Sequence, residues 1–168
     1  VGTRPVAVRV TDSYGMTDVD NTTLSIYDNR PFASFNAAPN PAACNQQITF
    51  DASSSYHGSP ERLIVSYEWD FDYDGGTFTP DASGPIVNHA YPSFGTFTPA
   101  LRVTDDNDPA KTDMATGIMV IDQGNQAPEA HAGGPYGCDL GSGITLDGSS
   151  SVDPDESCGD EIVAWHWD

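Results

Sequence analysis

The sequence predicts an all-β chain of tandem β-sandwich modules, one complete and flanked by two partial ones. Three observations carry this. Residues 63–74 alternate between two faces: Leu63, Val65, Tyr67, Trp69, Phe71 and Tyr73 on one, Ile64, Ser66, Glu68, Asp70, Asp72 and Asp74 on the other. Successive side chains of a strand point to opposite faces, so the aromatic row predicts the inner face of a central strand. Motifs recur with a period of about 95 residues, the size of one sandwich domain. No segment shows helical periodicity, and Gly, Pro, Ser, Thr and Asp punctuate short apolar runs.

The repeat can be followed along the chain. Ile64-Val65 and Trp69-Asp70 recur as Ile162-Val163 and Trp167-Asp168. Asp51-Ala52-Ser53-Ser54-Ser55 recurs as Asp147-Gly148-Ser149-Ser150-Ser151, and Arg9-Val10-Thr11-Asp12 as Arg102-Val103-Thr104-Asp105. Residues 1–28 read as the tail of a first module, with Val6, Val8 and Val10 alternating in one strand and Leu24 and Ile26 in a last one. Residues 30–122 read as the complete module, with strands predicted at 32–36, 46–51, 62–72, 85–91, 96–104 and 115–122. Residues 126–168 begin a third module and stop in its third strand. The connections at Asn29-Arg30 and around 123–127 are short and restrict how modules swing. Neither end piece can bury its apolar face alone, because a sandwich needs both sheets. An edge such as Val6-Ala7-Val8 also invites another strand. The expectation is an array continuing end to end, within one long chain or through head-to-tail contacts between copies that build a fibre.

The middle module resembles the polycystic kidney disease (PKD) repeat, an immunoglobulin-like β-sandwich. The resemblance rests on Phe50-Asp51-Ala52-Ser53-Ser54-Ser55, on 64–72 with its Trp69-Asp70-Phe71 signature, and on His89-Ala90-Tyr91, Gly95-Thr96-Phe97 and Leu101-Arg102-Val103-Thr104-Asp105. Two departures stand out. Pro99 sits mid-strand, where a ladder donor is wanted, and Arg4 takes the place of Phe97. The resemblance implies an extracellular or cell-surface binding, spacing or adhesive module rather than an enzyme.

Charge narrows the partners. The net charge is -19, with 6 Lys plus Arg against 25 Asp plus Glu, which argues against nucleic acid or an anionic membrane surface. No run of 18 apolar residues is present, so no membrane-spanning helix is expected. The acidic excess suits calcium. Asp70, Asp72 and Asp74 precede Gly75 with the spacing of a calcium loop, and Asp81 stands further along as a monodentate candidate. Calcium takes six to eight oxygen ligands, and glycine permits the sharp turn. In modules of the resembled family, the junction Asn, the acidic segment after the second strand and the Asp after the tryptophan can share a second calcium. Here these are Asn125, Asp153, Asp155 and Asp168. Asp105-Asp106-Asn107-Asp108 reads as a hairpin turn. His89 reads as structural.

Cys138 and Cys158 flank the second strand and following loop of the third module, which predicts a disulfide between them. Cys44 matches Cys138 by position, but Ser59-Pro60 occupies its partner's place, so Cys44 is expected to be free or paired outside this chain. Asn21-Thr22-Thr23 is an N-glycosylation sequon at Asn21. No nucleophile elbow, zinc spacing or phosphate loop is present, and every aspartate pair lies inside a repeat motif. The leading reading is a structural or adhesive calcium-stabilised array outside the cell, its partners neighbouring copies of the repeat. The alternative is an accessory module holding a secreted protease or polysaccharide hydrolase on its substrate, with exposed aromatics contacting polysaccharide or protein.

Overall fold

The computed structural model describes residues 1–168. Its strands are β1 (Gly2–Thr11), β2 (Thr17–Ile26), β3 (Pro31–Phe32), β4 (Asn36–Ala38), β5 (Ala42–Ala43), β6 (Ile48–Asp51), β7 (Tyr56–His57), β8 (Ile64–Asp70), β9 (Ala82–Ser83), β10 (Ile86–His89), β11 (Gly95–Phe97), β12 (Ala100–Asp105), β13 (Thr112–Thr116) and β14 (Met119–Gln123). One short 3-10 turn, Glu156–Cys158, follows. The chain has no α-helix, and none of its elements is a helix long and apolar enough to cross a membrane.

Strands β3 to β14 form one sandwich. One layer is β13-β12-β8-β9; the other comprises β10-β6-β4 and β11-β14-β5, and β3 pairs with β7 at one end. The alternating apolar residues of these strands meet between the layers. Ile48 and Phe50 of β6, Trp69 of β8, Leu101 and Val103 of β12, and Met119 and Ile121 of β14 are essentially inaccessible to solvent. Trp69 is the hub. Phe35 meets it edge-on at 5.2 Å and Phe50 at 5.6 Å, while its indole N–H donates to the Gly84 carbonyl at 2.8 Å. The ring thus buries its area with its polar group satisfied.

Several strands depart from the sequence expectation for identifiable reasons. The alternation of 63–74 breaks at Val65. Thr104 pairs with Ser66, but Asp105 pairs with Ile64, so Val65 is an extra residue in a bulge. A bulge shifts the facing of everything beyond it. Ile64 therefore packs on the core, and Leu63 and Val65, expected inside, are 67% and 62% exposed. The strand expected at 96–104 is two strands in different sheets, β11 and β12, and that at 115–122 is likewise split between β13 and β14. Pro99 explains the first break, because it has no N–H for a ladder. Its carbonyl accepts the Gly117 N–H at 2.9 Å, tying the two crossing points together. Gly117 leaves room for Phe35 there: a Cβ would lie 2.9 Å from the tip of the ring, which would have to shift.

The flanking segments add nothing to the clustered core. β1 and β2 pair from Gly2 opposite Ile26 to Thr11 opposite Thr17, and every residue in both is exposed. Residues 126–168 hold one bridge, Glu129 with Val152, and the 156–158 turn. Trp167 is the repeat's counterpart of the buried Trp69. It is instead 45% exposed, because no strand covers it in the place where β12 covers Trp69.

The expected Cys138–Cys158 bridge is also corrected. Cys158 bonds to Cys44, 114 positions away with Cα atoms 6.0 Å apart, and Cys138 is free and exposed. The reason is local. The Cys158 carbonyl accepts the Phe94 N–H at 3.1 Å, which seats the 156–158 turn on the middle sandwich beside Cys44.

Candidate metal centre and the two poles of the sandwich

β8 ends at Asp70, and the chain loops out before returning at Asp81, just ahead of β9. Carboxylates close this loop. Asp70 is buried; its Oδ2 accepts the Thr79 N–H at 2.7 Å and its Oδ1 the Asp72 N–H at 3.3 Å. Asp81 Oδ2 accepts the Phe71 N–H at 2.8 Å, and the Asp81 N–H donates to the Trp69 carbonyl at 2.7 Å. Asp70, Asp72 and Asp81 thereby bring one carboxylate oxygen each within 4.8 Å of one another. Such like charges repel unless a cation lies among them. Oxygens on one calcium, at about 2.3–2.6 Å from the ion, lie at most about 5 Å apart, so the donor set fits this hard cation. Asp74, expected as a third ligand, stands outside. Its Oδ1 accepts the Gly76 N–H at 2.8 Å and closes a separate turn through Gly75 at φ +87°.

The same carboxylates act on the core beside them. His89 stacks on Phe71 at 4.0 Å, and the Tyr91 hydroxyl donates to the Phe71 carbonyl at 2.9 Å. Burial holds His89 below the usual imidazole range, opposed by the charges of Asp81 and Asp72. For Tyr91, burial and then the charges of Asp72 and Asp81 all push the phenol up.

The second expected cation set is not gathered at one point. Asn125 and Asp153 line one shallow cavity, together with Asp160 and Glu161. Asp155 Oδ2 accepts the Gln126 N–H at 2.5 Å, and the Asp155 N–H donates to Asp153 Oδ1 at 2.8 Å. Asp168 lines a different cavity beside Trp165 and Trp167, in a stretch, 160–168, that forms no strand. Asn21 lies within the exposed strand β2.

The pole where the chain enters the sandwich is built on Asp105, the first residue of the acidic turn 105–108. Asp105 Oδ1 accepts the N–H groups of Asn107 and Lys111 at 3.0 and 2.8 Å. Its Oδ2 accepts the Asn107 side-chain amide at 2.5 Å and faces His57 Nε2 at 3.1 Å. The Ser59 N–H donates to His57 Nδ1 at 3.0 Å, which leaves Nε2 to donate to Asp105. Burial raises the Asp105 pKa, but these donors outweigh it and hold the carboxyl well below its ordinary range. The incoming chain is fixed here too: Lys111 Nζ donates to the Asn29 carbonyl, and the Gly58 N–H to the Arg30 carbonyl at 3.0 Å. The repeat itself was the available signal for Asp105. Asp12, its counterpart, likewise accepts two turn N–H groups, from Tyr14 and Met16 at 2.9 and 2.8 Å. Asp51 and Asp147 form another such pair, accepting from Ser53 and Ser149 at 2.8 and 2.9 Å.

An all-β sandwich with aspartate-built turns at its poles defines an immunoglobulin-like module. The family model described as PKD domain matches residues 28–120, more than half of the chain, and the chain belongs to that family. Two solved structures are similar. The PKD1 domain of Vibrio anguillarum Epp is 24% identical, with a TM-score of 0.42 over 55% of this chain and 94% of that one. A chain from a study of the promiscuous specificity of carbohydrate-binding modules of the β-sandwich superfamily is 25% identical, with a TM-score of 0.47 over 58% of this chain. That match spans only 36% of the carbohydrate-binding chain.

Proposed function

We propose that this protein is a non-catalytic, extracellular structural or adhesive element, a PKD-module array whose complete module holds calcium at Asp70, Asp72 and Asp81. One observation carries the array reading. Positions buried in the middle module recur, open to solvent, on both sides of it. Val8, Val10, Leu24 and Ile26 stand at the places of Leu101, Val103, Met119 and Ile121; Ile144, Leu146 and Trp167 stand at those of Ile48, Phe50 and Trp69. This also weighs against an accessory substrate-binding role. Trp165 and Trp167 are half exposed, but their counterparts Tyr67 and Trp69 pack in or against a core, so the pair reads as uncovered core rather than a sugar platform.

Calcium at the β8–β9 loop would relieve repulsion among three carboxylates and tie the end of the central strand to the edge strand. Titration calorimetry with calcium should show binding, and the melting temperature should rise with calcium by mass action, about 2.7 kcal/mol of stabilisation at a hundredfold excess over Kd. Asp81→Asn should abolish both responses, and Asp74→Asn should leave both intact. Absence of heat and of any melting shift would remove calcium from the account.

A further inference from the structure

We propose that the Cys44–Cys158 bond is a redox latch. It holds residues 126–168 in one position on the middle sandwich, and a thiol reductant that opens it frees that segment while the sandwich stays folded. The inference stands on the contacts around the bond and needs neither calcium nor the array reading. Those contacts are few. Apart from the continuous backbone, three covalent or hydrogen-bond links join the segment to residues 1–125. They are the disulfide, the Phe94 N–H donating to the Cys158 carbonyl at 3.1 Å, and the Asn45 side-chain amide donating to Cys158 Sγ at 3.8 Å. No ion pair crosses between them, and the clustered core takes no residue from 126–168. A single backbone hydrogen bond has a small net worth in water, so the covalent bond sets the position.

The sandwich does not depend on that position. The core around Trp69 is filled entirely from residues 33–121. Cys44 follows β5, an edge strand of its sheet, so opening the bond removes no central strand. Charge acts against the docked position. Residues 126–168 carry carboxylates and no Lys or Arg, and residues 30–122 are also acidic on balance. Like charges separate once the cross-link is gone, more strongly at low salt. A hinge is in place as well. Gly124, between β14 and the segment, has φ +86°, a left-handed conformation that glycine adopts without strain.

Opening is a thiol–disulfide exchange. A reductant thiolate attacks one sulfur, the other leaves as a thiolate, and a second reductant thiol resolves the mixed disulfide. Two reductant thiols become one disulfide, while Cys44 and Cys158 take up the two electrons and two protons and end as thiols. Cys44 is half-buried beside the exposed Asn45, whereas Cys158 is buried, so attack falls on Cys44 Sγ and Cys158 leaves. Asn45 stands at φ +58°, fixed by its N–H donating to the Tyr91 carbonyl at 2.8 Å. That turn aims its side-chain amide at both sulfurs, 3.3 Å from Cys44 Sγ and 3.8 Å from Cys158 Sγ. A donor on the departing sulfur favours its charged form. Oxidising surroundings keep such a bond closed; a reductant turns a fixed joint into a swinging one.

The test compares the full chain with and without dithiothreitol, well below its main thermal transition. Alkylation should count one thiol, Cys138, before reduction and three after it. Amide exchange at Phe94 and across the 156–158 turn, and protease cleavage within 123–127, should each rise by about tenfold or more on reduction, as local opening requires. The amides of β6, β8 and β12 should remain the slowest, and one cooperative thermal transition should persist. Cys44→Ser should show the open behaviour with or without reductant, and Cys138→Ser should respond as the parent does. Asn45→Gly, which keeps the left-handed turn and lacks the amide, should be reduced several-fold more slowly; a rate equal to the parent's overturns the part given to the amide. Unchanged exchange at Phe94 and unchanged cleavage after full reduction overturn the proposal, because contacts other than the bond then hold the segment. Loss of the cooperative transition on reduction overturns it too, because the bond then belongs to the sandwich's own stability.

Discussion

Aspartates at turn positions are the residues on which this molecule is assembled, and Asp105 is the most constrained of them. Its carboxylate accepts from two backbone N–H groups, an amide and an imidazole, with no exposure to solvent. Because its folded pKa lies below the ordinary 3.8, its stabilisation is fully present above that pH and is lost as pH falls through the folded value. Asp51 and Asp147, also held low by the Ser53 and Ser149 hydroxyls and N–H groups, act in the same direction. The melting temperature should therefore fall on acidification below about pH 4. Asp105→Asn should melt several degrees lower at neutral pH and lose less on acidification. A variant with the same melting point and the same acid slope as the parent would show that Asp105 is not the hub of its pole. Residue-scale reading from sequence works where one side chain decides the outcome: Trp69 and Phe71 are buried as the alternation requires. It misses Val65, because a bulge depends on the partner strand's register, which the strand's own residues do not encode.

At the scale of elements, the chain's two sheet crossings and its disulfide were the least legible features. Pro99 marked a break, but that the strand changes sheets there depends on Gly117 giving way to Phe35 and donating to the Pro99 carbonyl. The calcium-type loop was half visible. Asp70, Asp72 and Asp81 converge, while Asp74 lies past the bend set by Gly75. The cysteine pairing follows a contact between segments far apart in sequence, which spacing within one module cannot reveal. Peptide mapping without reduction should recover Cys44 joined to Cys158, with Cys138 open to alkylation. Opening that 114-residue span by Cys44→Ser should cost about 4–5 kcal/mol in the chain-entropy picture. A Cys138–Cys158 peptide would contradict the way the 156–158 turn docks.

At the largest scale, residues 1–168 hold one closed sandwich, with the β1–β2 hairpin and residues 126–168 outside its core. The sequence repeat reaches beyond that sandwich, because period, motif and apolar spacing recur in both flanking stretches. What it could not supply is which flanking residues find cover. That depends on strands a two-stranded hairpin does not have, and a lone hairpin is only marginally stable in water. Hydrogen exchange of the full chain at high dilution, read peptide by peptide, tests this most directly. The amides of β6, β8, β12 and β14 should exchange slowest, at rates set by global unfolding, whereas those of β1, β2 and 160–168 should exchange orders of magnitude faster through local opening. Equal protection of β1 and β12 at high dilution would contradict the account, because it would mean that Val8 and Val10 are already covered within a single copy.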